Sequence, residues 1–126
     1  MKPTIAIIGA STQRGKFGNK AVRGYAQQGW QVYPIHPRAE SIEGHRAYPS
    51  VLDVPVAELD RVSLYLPPAL GLQVIEEVAH KKCREVWLNP GAESKALIDR
   101  AHGLGLNVVL GCSIVDIGLS PHEFGD

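Results

Sequence analysis

Residues 4–19 read TIAIIGASTQRGKFGN, and this stretch decides the fold. Its first part, TIAIIG at 4–9, is short, β-branched and almost wholly apolar, and it stops at Gly9. A strand with one wet face alternates apolar and polar residues. This one does not, so it reads as a strand buried on both faces, as in a parallel sheet. The second part, GASTQRGKFGN, is glycine-rich. It leads into Ala21, Val22, Tyr25 and Ala26 at helical spacing, which predicts a helix over 19–28 stopped by Gly29. A buried strand, a glycine loop and a helix in that order open a βαβ unit.

The remainder of the chain repeats the alternation. Strands are predicted over 31–36 (QVYPIH), 61–66 (RVSLYL), 85–88 and 106–110 (LNVVL), and helices over 69–81 and 93–102. Pro34 inside the second strand assigns it to a sheet edge or a bulge. Residues 38–50 form a loop-rich excursion, a short helical turn follows over 50–53, and the tail after Gly111 carries no firm pattern. Strand–helix alternation of this kind implies an α/β fold: a Rossmann-like, doubly wound, mainly parallel five-stranded sheet with helices on both faces. With no internal repeat, low-complexity segment or linker, residues 1–126 read as a single domain.

Composition narrows the function classes. At 44% hydrophobic and 21% charged residues, the chain has the apolar content a packed core needs. Two cysteines do not make a disulfide scaffold, and no apolar run approaches a membrane span or a signal peptide, so a reducing cytoplasm is expected. Thirteen basic residues balance thirteen acidic ones, which argues against nucleic acid and membrane surfaces as partners. The distribution is uneven. Residues 1–50 hold seven basic and two acidic groups, and residues 51–126 hold six and eleven. An anionic ligand for the first half explains this asymmetry; chance and oligomer contacts are the plain alternative.

In doubly wound sheets ligands bind beyond the carboxyl ends of the strands. The loop after the first strand carries Gly9, Gly15 and Gly18, which let backbone approach a ligand closely. Ala10 lies among them, Ser11 and Thr12 add hydroxyls, and Arg14 and Lys16 add charge. The helix beginning near Gly18 or Asn19 points free N–H groups into the same space, which makes an anion site. A glycine turn that merely joins strand to helix is the alternative. Two sharper motifs fail. Ser11 stands where the dinucleotide fingerprint has its second glycine, and Phe17 stands where a nucleotide hydrolase has its magnesium-binding Ser or Thr. At the second strand end, an NAD site wants an acid for the ribose hydroxyls. The chain has His36-Pro37-Arg38. A cation there suits a ribose phosphate, carried by NADP and by coenzyme A alike; a solvated loop arginine is the alternative.

The chain resembles the coenzyme A-binding domain family in its small single-domain form, the domain that also opens the α subunit of succinyl-CoA synthetase. The matching pieces are IAIIGAS at 5–11, GWQVYPIHP at 29–37, the turn at 42–44, LDVP at 52–55 followed by Asp60-Arg61-Val62, LPP at 66–68 and VWLNPGA at 86–92. The resemblance implies coenzyme A, or an acyl-CoA, lying across the strand ends. Gly9, Ser11, Gly15, Lys16 and Gly18 would hold phosphates, with Ala10, Thr12 and Phe17 in the same loop. Pro37 and Arg38, next to His36, would meet the adenosine and its 3′-phosphate. Leu66, Pro67 and Pro68 would flank the nucleotide or pantetheine, and Asn89, Pro90, Gly91 and Ala92 would line the thiol end. The family often shows Asn-Pro-Lys where this chain has His36-Pro37-Arg38, which keeps the charge but not the shape. The synthetase carries its phosphorylated histidine in a second domain, absent from these residues, so acyl-CoA ligation by this chain alone is not expected.

Other candidates for chemistry are isolated. His80 and Cys83 would share a helical face, with no second pair at ligand spacing. Cys112 follows the last strand, either as a reactive thiol or as a small buried residue. Asp116 and His122 lie in the unassigned tail without a partner, and Trp30 and Trp87 read as packing or a dimer surface. The expected function is non-catalytic binding of coenzyme A or an acyl-CoA, as carrier, sensor or partner subunit. The partners are a small nucleotide ligand and either a second copy or another protein. An NADP-dependent redox enzyme or sensor and an interaction module with a lapsed nucleotide site are the other readings.

Overall fold

The computed structural model describes residues 1–126. In chain order the main elements are β1 (Thr4–Ile8), α1 (Phe17–Gln27), β2 (Gln31–Ile35), β3 (Ser41–Ile42), β4 (His45–Arg46), β5 (Leu59–Leu64), α2 (Pro68–Lys81), β6 (Cys83–Leu88), α3 (Lys95–Gly103), β7 (Val108–Leu110) and α4 (Ser113–Asp116). Single 3₁₀ turns lie at Val51–Asp53 and Pro121–Glu123. Five strands form one wholly parallel sheet in the order β2-β1-β5-β6-β7, and β3 and β4 form a separate antiparallel hairpin. The expected Rossmann-like α/β architecture is therefore present. No helix is long and apolar enough to cross a membrane.

β1 shows why its sequence lacks alternation. Ile5 and Ile7 enter a cluster with Ala21, Val22 and Tyr25 of α1 and Ile114 of α4. Ala6 and Ile8 point the other way, into a cluster with Ile75 and Val78 of α2 and Leu97 and Ala101 of α3. The helices thus cover both faces, α1 and α4 on one and α2 and α3 on the other. Pro34 lies in β2, an edge strand. Its ring nitrogen turns outward, while Tyr48 N–H donates to the Pro34 carbonyl and His36 N–H donates to the Tyr48 carbonyl, both at 2.9 Å. The missing donor falls on the one side of the sheet where no strand ladder needs it.

Several boundaries differ from the sequence reading. α1 begins two residues early, at Phe17, and α2 takes Pro68 as its first residue, a position where proline's missing N–H costs nothing. Residues 38–50 contain the β3–β4 hairpin, closed by Glu43 and Gly44 at φ of 51° and 81°. Cys83 does not share a helical face with His80. Lys82, at φ 70°, ends α2, and Cys83 opens β6. The tail is ordered too. α4 and the 3₁₀ turn are too short for periodicity to reveal them.

Candidate functional site

The site grows from the junction of β1 and α1. Gly9 sits at φ +93°, and a Cβ there would lie 2.9 Å from the Tyr65 backbone. A Cβ on Gly18 would overlap the Gly9 carbonyl oxygen. Gly18 therefore lets the first turn of α1 rest directly on the end of β1, and Gly9 lets that end approach the backbone that follows β5. α1 has no side-chain cap and no acid in its first turn, and Lys16 holds its N-cap position with an extended backbone. The N–H groups of Phe17 and Gly18 make no hydrogen bond within the chain. They are free helix-start donors. Lys16, Phe17 and Gly18 line a cavity of about 360 Å³ together with Gly9, Tyr65, Leu66, Pro67, Pro90, Gly91 and Ala92.

The rest of the loop is held from outside. Buried Asn19 donates to the Ser11 carbonyl at 2.9 Å and to Glu43 at 3.2 Å. Arg23 donates to Asn19 Oδ1 at 2.8 Å and to the carbonyls of Arg14 and Gly125 at 2.7 and 2.8 Å. The Ser11 hydroxyl accepts the Gln13 N–H at 3.0 Å. Arg14 pairs with Glu43 at 3.4 Å, so its charge is taken, whereas Lys16 forms no ion pair. Arg14 and Lys16 thus part company: only Lys16 faces the cavity with its charge free.

At Gly9, Lys16, Tyr65, Leu66 and Pro67 the cavity continues into a groove of about 500 Å³. This groove runs past Ala10 and Ser11 to Ile35, His36, Pro37 and Pro49, and its far wall is Leu70, Gln73 and Val74 of α2. It lies where the chain order of the sheet reverses, on either side of β1. Beyond His36 and Pro37 a third recess holds Arg38, Glu40 and Arg46. His36 shapes this corner. Its Nδ1 accepts the N–H groups of Arg38 at 3.0 Å and Ala39 at 2.9 Å, which places the ring proton on Nε2. An asparagine makes such a turn through its carbonyl oxygen; here a ring nitrogen takes that part.

The other end opens into a chamber of about 330 Å³, shared with the first cavity at Phe17, Tyr65 and Pro90 and walled by Cys112, Val115, Ser120, Pro121 and His122. A buried polar network forms its floor. Asn89 Nδ2 donates to Ser63 Oγ and to the Leu64 carbonyl, both at 2.8 Å, and Asn89 Oδ1 accepts the Ser113 N–H at 2.9 Å. Ser113 Oγ meets Ser63 Oγ at 2.7 Å and the Tyr65 hydroxyl at 3.1 Å. Burial pushes the Tyr65 phenol well above its ordinary pKa, against the pull of its serine contacts, so it stays neutral. Arg61 anchors the tail from below. It pairs with Glu85 and Asp116 at 2.9 Å, donates to the Tyr25 hydroxyl at 3.0 Å, and lies 5.1 and 4.7 Å from the ring centroids of Trp30 and Trp87. Asp116 therefore has a partner, and both tryptophans pack inside the molecule, as one of the two expectations had it, with Arg61 against their rings.

Of the residues expected at the site, Gly9, Ala10, Ser11, Lys16, Phe17, Gly18, His36, Pro37, Arg38, Leu66, Pro67, Asn89, Pro90 and Gly91 all line these connected spaces. Thr12, Gly15 and Pro68 line none. Thr12 is exposed on the outer turn of the loop, Gly15 faces the Asp126 side chain, and Pro68 serves to start α2. Asn89 lies on the chamber floor, where its amide is consumed by the network. The sequence reading passed over Tyr65, Pro49, Gln73, Val74 and Arg46, which reach the site from elements far apart in the chain.

Fold and groove define the class: a Rossmann-like α/β domain open along its strand ends. The chain belongs to the CoA binding domain family, which matches residues 3–118. The acetate–CoA ligase (ADP-forming) II subunit alpha of Pyrococcus furiosus is 29% identical over 116 residues, covering 83% of this chain and 25% of that protein. The 4-hydroxybutyrate–CoA ligase (ADP-forming) of Nitrosopumilus maritimus is 36% identical over 85 residues, covering 66% of this chain and 12% of that protein. The chain thus spans a quarter or less of these two relatives. Among solved structures, a conserved hypothetical protein of Pyrococcus furiosus superposes with a TM-score of 0.83 at 31% identity, covering 90% of this chain and 98% of that one. An acetyl-coenzyme A synthetase of Candidatus Korarchaeum cryptofilum, solved with phosphate and ADP, gives 0.74 at 30% identity over 84% of this chain and 25% of that one.

Proposed function

We propose that this domain binds coenzyme A or an acyl-CoA across the carboxyl ends of β1, β2, β5 and β6, without catalysing a reaction itself. The observation that carries the reading is the continuous groove, whose middle holds the free N–H groups of Phe17 and Gly18 beside an unpaired Lys16. Those donors suit the pyrophosphate. Hydrogen bonds to charged groups are worth about 1.5–3 kcal/mol each, more than the roughly 0.3–1 kcal/mol of the helix dipole. The adenosine fits between His36-Pro37 and Leu66-Pro67, the 3′-phosphate reaches Arg38 and Arg46, and the pantetheine passes Tyr65 toward Pro90. The groove hydroxyls are engaged in local structure rather than with a general base: Ser11 with Gln13 N–H, Ser120 with His122 N–H and Tyr65 with Ser113. That supports a role as carrier, sensor or partner subunit. The two free cysteines suit a reducing cytoplasm.

Calorimetric titration with CoA, dephospho-CoA and NADP tests this. CoA binds most tightly, and removing its 3′-phosphate weakens binding by roughly ten- to a hundredfold. Because Arg46 shares the recess, Arg38→Ala removes part of that difference, and Arg38→Ala with Arg46→Ala removes most of it. Tighter binding of NADP would redirect the reading to a redox protein. No binding at millimolar concentrations would sink it in favour of a lapsed site.

A further inference from the structure

The chamber between α1, Tyr65 and the tail is larger than a bare thiol requires. We propose that it receives the acyl group of an apolar acyl-CoA, so that the domain prefers such thioesters to free CoA. This rests on the CoA reading and extends it. Three observations carry it. The chamber opens from the phosphate-loop cavity at Phe17, Tyr65 and Pro90, the end of the groove away from Arg38. Its lining surface is predominantly apolar although the Cys112 thiol and the His122 ring also reach it, and its other polar side chains are engaged locally: Asn89 and Tyr65 with Ser63, Leu64 and Ser113, and the Ser120 hydroxyl with the His122 N–H. Phe17 and Val115 line it while 57% and 58% exposed, so apolar surface stands ready to be covered.

The test compares CoA, acetyl-CoA, hexanoyl-CoA and succinyl-CoA by calorimetry on the wild type, Val115→Leu and Val115→Asp. The readout is the ratio of affinities for hexanoyl-CoA and CoA within each protein, so a general loss of binding does not mimic the effect. Val115 is exposed, and its substitution leaves the core intact. The expected ratio is about tenfold or more in the wild type and in Val115→Leu, and close to one in Val115→Asp, with succinyl-CoA no tighter than CoA in the wild type. Equal affinity of the wild type for CoA and hexanoyl-CoA would overturn this inference and leave the CoA site standing, with pantetheine alone filling the chamber. A ratio that survives Val115→Asp would move the acyl group elsewhere. Failure of every thioester and of CoA itself would overturn both readings.

Discussion

Gly18 carries more of the site than any other single residue. Its hydrogen stands where a Cβ would overlap the Gly9 carbonyl, and backbone on backbone leaves no flexible side chain to yield. Gly18→Ala must push α1 off β1. A cost of roughly 1–3 kcal/mol is expected from overpacking of this kind, together with loss of CoA binding as the helix-start donors move. Urea denaturation checks the first, and a stability within about 0.5 kcal/mol of wild type would contradict it. Gly15 was legible in the same motif for the same reason, yet it faces only the tip of Asp126. A glycine in a loop does not disclose which atoms approach it.

At the scale of elements, two helices make an informative contrast. α3 is capped by Ser94, whose hydroxyl accepts the Leu97 N–H at 3.1 Å. α1, whose start faces the groove, has no cap. A departure from good local chemistry at a ligand site is the expected pattern, because the donors are kept for the ligand. Two substitutions should therefore act in opposite directions. Ser94→Ala lowers stability by about 1 kcal/mol and leaves CoA affinity unchanged. Lys16→Asp installs a cap, raises the stability of the free domain by up to about 1 kcal/mol, and weakens CoA binding at least tenfold. Chemical denaturation and titration of both variants check this, and Lys16→Asp that binds CoA as well as wild type would remove the anion site from α1.

The whole molecule adds a pH dependence. Burial pushes the Cys83 thiol from 9.0 to about 12, with the Glu58 charge adding to it. Burial also raises Tyr25 and Tyr65 above their ordinary 10.0. In each case the folded state holds a proton that the unfolded chain has released. Stability is therefore level up to about pH 9 and falls as pH rises from there toward 12, first through Cys83 and above pH 10 through the tyrosines as well, with each group contributing a slope of at most about 1.4 kcal/mol per pH unit. Urea midpoints at pH 8 and 10 give the comparison. Cys83→Ala flattens the decline between them, and an unchanged decline would assign it to other groups. The same tertiary assembly explains Arg61. A buried guanidinium is tolerated because Glu85, Asp116, Tyr25 and two indole rings surround it, and together they fasten the tail that walls the chamber.

The chain's local chemistry is enough for the architecture and the middle of the groove. A doubly apolar strand alternating with amphipathic helices favours a parallel sheet covered on both faces, and a glycine loop that enters a helix without a capping side chain leaves helix-start donors free. LPP and NPG likewise mark strand ends by the backbone limits of proline and glycine. What local chemistry could not show is which groups meet. Arg14 and Lys16 look alike in sequence, but Glu43, 29 residues beyond Arg14, neutralises only the first. Asn89 looks like a ligand-facing polar group, but Ser63, Leu64 and Ser113 consume its amide. The chamber beyond Phe17 and Tyr65 depends on a tail too short to display periodicity, held by an ion pair between Arg61 and Asp116, 55 residues apart. Hydrogen bonds and ion pairs act over a few ångströms, so their partners are decided by the path of the folded chain rather than by spacing along it.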